Sequence, residues 1–311
     1  MCVGRRPLTR LLPLFAGLVL STAVPSWAEA QAAAAEIARG KYVYGATGGC
    51  GCHTERVKEG TIKRLGPINA GGRRFDGPFG TVYSSNITPD RQTGIGGWTD
   101  EEIIAATRLG RRPNGERLIP VHPYTVFNGM AEGDLKALVA YLRTITPVNR
   151  PNQPKRITVP LFESVFLPTW LAAFAPRETP PPTAPTTGIS RGEYLVKAVS
   201  HCGECHTPRG MSNAVDNSRF LAGNARGPEN AEVPNITPDP QTGLRWSTAE
   251  IAEYLGTGNK PDGDVAGSLM SEVIHGTAAG YKDLTQPDRL AIAQYLKSIP
   301  AVRNKIGKSA Q

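Results

Sequence analysis

The chain has 311 residues, room for two domains of ordinary size. Its 35 basic and 27 acidic residues leave a formal charge of +8, yet no basic run is interleaved with aromatics, which argues against a nucleic-acid binder. Of its five cysteines, the four beyond Cys2 all lie within a few residues of a histidine, so none is spare for a disulfide framework.

Residues 1–30 read as a signal peptide. Arg5, Arg6 and Arg10 form a positive start, residues 11–24 an apolar run, and Ala28-Glu29-Ala30 a small-x-small cleavage site. The rival is an uncleaved N-terminal anchor, although the apolar run is short for a spanning helix. Cleavage would leave 32 basic against 26 acidic residues, a mild excess that favours acidic partners or anionic surfaces. Export would place the protein in the oxidising periplasm.

Residues 31–150 form the first predicted domain. Arg39-Gly40-Lys41-Tyr42 leads, ten residues after the glycine, to Cys50 in Gly49-Cys50-Gly51-Cys52-His53. Asn86-Ile-Thr-Pro-Asp90 follows, then Trp98 and a capping box, Thr99-x-x-Glu102, predicting a short helix that ends near Gly110. Pro113-Asn-Gly115 and Pro120-Val-His122-Pro-Tyr124 come next, then Met130. Leu138, Val139 and Leu142 give a closing helix an apolar face. Residues 151–188 are an interdomain segment, apolar over residues 161–174 but broken by Pro168, and ending in a proline-rich linker. Phe166, Trp170, Leu171 and Phe174 suit either peripheral contact with a membrane or partner, or packing across the two domains; the latter is preferred.

Residues 189–303 repeat the first domain, and residues 304–311 are a tail. Arg191-Gly192-Glu193-Tyr194, Asn235-Ile-Thr-Pro-Asp239, Trp246, Ser247-x-x-Glu250, a helix end near Gly256, and Pro261-Asp-Gly263 all recur in order. Here the motif is Cys202-Gly-Glu-Cys205-His206, or C-x-x-C-H. Two thiols about one helical turn apart can add to the vinyl groups of one haem while the next histidine takes its iron. Leu195, Ala198, Val199 and Cys202 follow helical spacing, predicting a helix that runs into the motif. In a regular helix His201 points away from the iron. The first motif is one residue shorter, C-x-C-H. One residue is about 100° of helical rotation, so Cys50 is aimed away from its vinyl unless Gly49 and Gly51 tighten the loop. One thioether through Cys52, two thioethers, or a Cys50–Cys52 disulfide with an empty site remain open.

C-x-x-C-H, the NITPD motif before a tryptophan, and the closing Ala137-Leu138-x-x-Tyr141-Leu142 together resemble the diheme c-type cytochromes. The chain is most similar to the cytochrome c subunits of bacterial membrane-bound alcohol and gluconate dehydrogenases. The resemblance covers about residues 38–147 and 189–303. It implies an all-α fold: two tandem cytochrome c domains joined by the proline-rich linker, with two covalent haem c groups. It implies attachment at Cys50, Cys52, Cys202 and Cys205, with His53 and His206 as proximal ligands. Met270 stands at the family's distal position for site two. At site one the family's frequent Pro-x-Met-Pro-Tyr carries His122 instead, opposite Met270 when counted from Pro113 and Pro261; Met130 is the competing ligand, and an open or water-bound iron the third alternative. Thr54, Thr207, Trp98 and Trp246 are expected along the haem edges, although core packing alone explains the tryptophans equally well. The implied function is a single-electron relay from a partner dehydrogenase to a terminal oxidase or other cytochrome. A diheme peroxidase-like or thiosulfate-oxidising enzyme is the alternative.

Overall fold

The computed structural model describes residue 1 and residues 26–59, 62–175 and 179–307. Most of the expected signal peptide, residues 2–25, lies outside them. Ser26 opens the first helix, α1 (Trp27–Ala46): its hydroxyl accepts from the Glu29 amide, and the Glu29 carboxylate accepts from the Ser26 amide. The expected cleavage point after Ala30 falls in the exposed first turns of α1.

A single 3-10 turn, Gly51–His53, carries the first motif. Two antiparallel hairpins follow: β1 (Arg56–Glu59) with β2 (Ile62–Leu65), and β3 (Arg74–Gly77) with β4 (Gly80–Tyr83), Phe75 opposite Val82. Then come α2 (Asp100–Leu109), α3 (Tyr124–Phe127) and α4 (Glu132–Leu142). A two-residue strand, β5 (Arg156–Ile157), adds to the free edge of β4. After a π-helical turn at Phe162–Phe166 comes α5 (Leu167–Phe174), with Pro168 just beyond the junction. Trp170 of α5 donates from Nε1 to the Ser212 carbonyl of the second half, while Phe166 and Phe174 stay exposed. The second half holds α6 (Gly188–Tyr194), a π-helical turn at Leu195–Val199, α7 (Cys202–His206), α8 (Thr248–Thr257), α9 (Ser268–His275) and α10 (Gln286–Ser298).

The all-α expectation is therefore corrected: the fold is mixed, helical with two small antiparallel sheets. The strands grow from a segment that differs between the copies. His53 and Asn86 are 33 residues apart, whereas His206 and Asn235 are 29 apart. In the longer segment Phe75 and Val82 alternate with polar neighbours around a Pro78-Phe79 turn, enough to close a hairpin. The shorter segment makes only isolated bridges, such as Asn224 with Val233.

The repeated arginine–glycine pairs are helix crossings. A Cβ on Gly40 would sit 1.8 Å from the Ala137 carbonyl oxygen, and one on Gly192 1.9 Å from that of Ala291. Thus α1 crosses α4, and α6 crosses α10, at backbone contact. Both predicted capping boxes form, Thr99 with Glu102 and Ser247 with Glu250. Gly110 caps α2 in the left-handed conformation as expected, while α8 runs past Gly256 to a Gly258 cap. The predicted helix into Cys202 is interrupted: the backbone turns left-handed at His201 (φ 43°), and α7 starts afresh.

One apolar core runs through both halves, including Tyr44, Met130 and Leu135 from the first and Leu195, Ile274 and Ile292 from the second. Across it the halves exchange a matched contact. Tyr42 donates to Asp288 (2.6 Å), which also takes Arg191. Tyr194 donates to Asp134 (2.7 Å), which also takes Arg39. Each tyrosine oxygen further accepts the amide of Thr285 or Ala131, the N-cap of the other half's closing helix. Residue i meets j as j meets i, the contact pattern of a two-fold interface.

Candidate haem sites

The asparagine of each NITPD motif is a clasp. Asn86 donates from Nδ2 to the Val148 carbonyl (2.8 Å), beyond α4, and its Oδ1 accepts from the Thr88 amide and hydroxyl. Asn235 does the same with Val302, beyond α10, and Thr237. The residue before each clasp is thereby fixed. Its carbonyl faces a motif histidine: His53 Nδ1 lies 2.7 Å from the Ser85 oxygen, and His206 Nδ1 lies 2.9 Å from the Pro234 oxygen. A carbonyl only accepts, so Nδ1 carries the proton and Nε2 presents its lone pair. Burial pushes both imidazoles below their ordinary value, which keeps them neutral. This donor set fits a haem iron at each motif.

Thr54 and Thr207 are fully buried, and their hydroxyls accept the amides of Asn69 (3.0 Å) and Leu221 (3.1 Å). They pin the loop that follows each motif. Trp98 and Trp246 pack against the core, Trp246 edge-on to Tyr254.

His122 sits in the turn before α3. Its ring centroid is 6.0 Å from that of His53, with the rings nearly perpendicular. A metal–imidazole bond of about 2 Å on each side would put the two ring centres roughly 6 Å apart. Burial first, then the neighbouring His53 and His201, push His122 down to about 3, so its ring is neutral as well. Met130 instead lies fully buried in the apolar core beside α4, its carbonyl accepting from Arg108. Met270 is in the first turn of α9, partly buried against the core. His275 is exposed and bonds the Ser271 carbonyl.

Among the described residues all four cysteines are free thiols. Gly48, Gly49 and Cys50 are left-handed in succession (φ 78°, 70° and 49°), so Cys50 does not sit in a regular helix. Cys50 and Cys202 both pack against the core. Each also lies within electrostatic reach of its own closing-helix tyrosine, Tyr141 or Tyr295. Burial pushes the Cys50 thiol up to about 12, Cys202 to about 11 and Cys205 to about 12.

Some residues at the sites gave no sequence signal. Ser85 and Pro234 act through backbone carbonyls. Phe127 packs on the His122 ring, and His201 packs on Phe127. Arg112 donates to the Ser85 hydroxyl while its buried Nε has no partner.

No protein-family model matches the chain. Among curated proteins it is similar to a diheme cytochrome c-type protein of Cereibacter sphaeroides, 37% identical over 96% of this chain and 99% of that one. It is also similar to the cytochrome c subunit of the quinone alcohol dehydrogenase of Gluconobacter oxydans, 36% identical over 86% of this chain and 55% of the subunit. The gluconate 2-dehydrogenase cytochrome c subunit of Pantoea cypripedii is 34% identical over 91% of this chain and 64% of the subunit. The chain thus spans little more than half the length of the alcohol dehydrogenase subunit.

Proposed function

Because the chain belongs to the diheme c-type cytochrome family, we propose that it relays single electrons from a partner dehydrogenase to a respiratory acceptor, with one haem c at each motif. The observation that carries this reading is the opposed pair at site one. The His53 ring, its Nδ1 committed to Ser85, and the His122 ring have centres 6.0 Å apart, the separation that two imidazoles sharing one iron would have. In this reading His53 and His122 would hold the first iron, and His206 and Met270 the second. Cys202 and Cys205 hold the second haem, Cys52 and Cys50 the first, since Cys50 shares the core packing of Cys202.

The bound haem supplies the one-electron chemistry. The chain supplies orientation and exclusion. Ser85 and Pro234 orient the imidazoles, Asn86 and Asn235 hold those carbonyls, and the core keeps water away. If His122 and Met270 completed the two iron sites, no position would be left for a substrate, which favours a relay over peroxidase-like or thiosulfate-oxidising chemistry. Likeness to subunits named for alcohol and gluconate dehydrogenases supports a dehydrogenase as donor. A terminal oxidase or another cytochrome is the acceptor, met through a small, transient contact. Residues 31–150 and 189–303 are the tandem cytochrome units, residues 151–188 connect them, and residues 1–30 direct export to the periplasm. Among the described residues no helix is long and apolar enough to cross a membrane.

The test is direct. Protein matured in a haem-attaching host should carry two haems by intact mass. A substrate-loaded dehydrogenase should reduce it, and oxidase-containing membranes should reoxidise it. Fewer than two haems, or fast peroxide turnover after half-reduction, would refute the reading.

A further inference from the structure

The two halves meet through matched contacts, but one crossing breaks the match. The rings of His122, Phe127 and His201 stand in file, with centroids 5.6 Å apart from His122 to Phe127 and 5.5 Å from Phe127 to His201. His201 directly precedes Cys202. With His53 beside His122, four rings run from the first motif's histidine to His201, the residue bonded to Cys202. The repeat-related crossing has no such file. Counted from Gly40 and Gly192, the counterpart of His201 is Gly49, and a Cβ there would lie 2.0 Å from the Ala279 carbonyl oxygen. Counted from Pro113 and Pro261, the counterpart of Phe127 is His275, which is exposed. Backbone fills one crossing and rings fill the other.

We propose that Phe127 and His201 carry the electronic contact between the two haem sites. The proposal rests on the relay reading. One electron leaves the iron held by His53 and His122, which is oxidised by one unit, and reduces by one unit the iron held by His206. No bond forms or breaks, and no proton has to move. A tunnelling electron decays less through packed rings than through an unfilled gap, so a file of touching rings is a favoured path. Both bridge residues are held firmly. Phe127 is buried at the end of α3, and His201 bonds the Ser200 carbonyl through Nδ1 at a left-handed backbone position.

The test follows internal electron exchange spectroscopically after pulsed one-electron reduction of the two-haem protein, beside both midpoint potentials and the haem count. Phe127→Leu removes the ring at similar bulk, and Phe127→Tyr keeps it. His201→Gly installs the residue of the other copy and accepts the left-handed backbone without strain. With two haems retained in all three, exchange should slow several-fold in Phe127→Leu and in His201→Gly, by more than any shift in the two measured potentials accounts for, and stay near wild type in Phe127→Tyr. Unchanged exchange in both ring-removing variants overturns the bridge but leaves the relay standing. The route would then pass by Cys52 and Cys205, which lie within electrostatic reach of each other. A wild-type protein with fewer than two haems, or with no internal exchange, overturns the bridge and the relay together.

Discussion

His122 and Met130 are the two candidates for the proposed first iron's second ligand, and their surroundings differ. The His122 ring lies beside that of His53, whereas Met130 is fully buried in the apolar core. Imidazole favours ferric iron and thioether favours ferrous iron, so the His53/His122 site should have the lower potential of the two. A redox titration should show two waves, and His122→Met should raise the lower one by about 0.1 V or more, within the range of about 0.8 V that axial ligands span. Met130→Ala should leave both waves in place yet cost about 2–5 kcal/mol of stability, because it opens a cavity in the core. The reverse pattern would make Met130 the ligand. Cys50 has its own test. Cys50→Ala should keep the haem on Cys52 but free one vinyl, shifting the reduced pyridine-haem band to longer wavelength; an unchanged band would mean that wild-type site one has a single thioether. The alignment of His122 with Met270 was legible because both follow a matched Pro-x-Gly turn. The left-handed turn at Gly48 and Gly49 was hinted at by the glycines, but its continuation into Cys50 was not, because a cysteine does not advertise that conformation.

At the scale of elements, short-range chemistry was readable and long-range partners were not. Thr99-x-x-Glu102 and Ser247-x-x-Glu250 announce their helices because a capping box closes within four residues. The hairpins escaped notice because strands of four residues give too few alternations to count, and only one copy has them. The NITPD motif was visible as a repeat, but its partners, the carbonyls of Val148 and Val302, lie about 60 residues onward and carry no side-chain signature. Both clasps are buried and make the same bonds. Asn86→Ala and Asn235→Ala should therefore each cost about 1–3 kcal/mol in urea unfolding, and each should loosen the histidine of its own half. A loss confined to one variant would show that the two clasps are not equivalent.

For the whole molecule, the question is what keeps the halves in one arrangement. The crossed tyrosines are one tie, and a charged cluster is another. Arg73 bonds Glu229 (2.8 Å) and Glu272 (3.3 Å), and Arg56 pairs with the same two carboxylates. The arginines belong to the first half and the glutamates to the second. None of this was legible in the sequence, since the four residues lie in loops and short elements with no shared periodicity. Burial alone would raise the Glu229 carboxyl, but the hydrogen bond from Arg73 and the two guanidinium charges outweigh it and hold it below its ordinary value. As pH falls, the unfolded chain therefore binds this proton before the folded one. The stability Glu229 contributes is fully present above the ordinary glutamate range and is lost as pH falls through the lowered folded value. Its side chain is half exposed, so the contribution is small and salt weakens it further. Melting temperatures measured from pH 7 down to pH 3 should fall less steeply in Glu229→Gln than in wild type, and the difference should shrink in high salt. Parallel curves at both salt concentrations would mean that the cluster adds nothing to the acid dependence, leaving the Tyr42–Asp288 and Tyr194–Asp134 contacts as the principal polar ties between the halves.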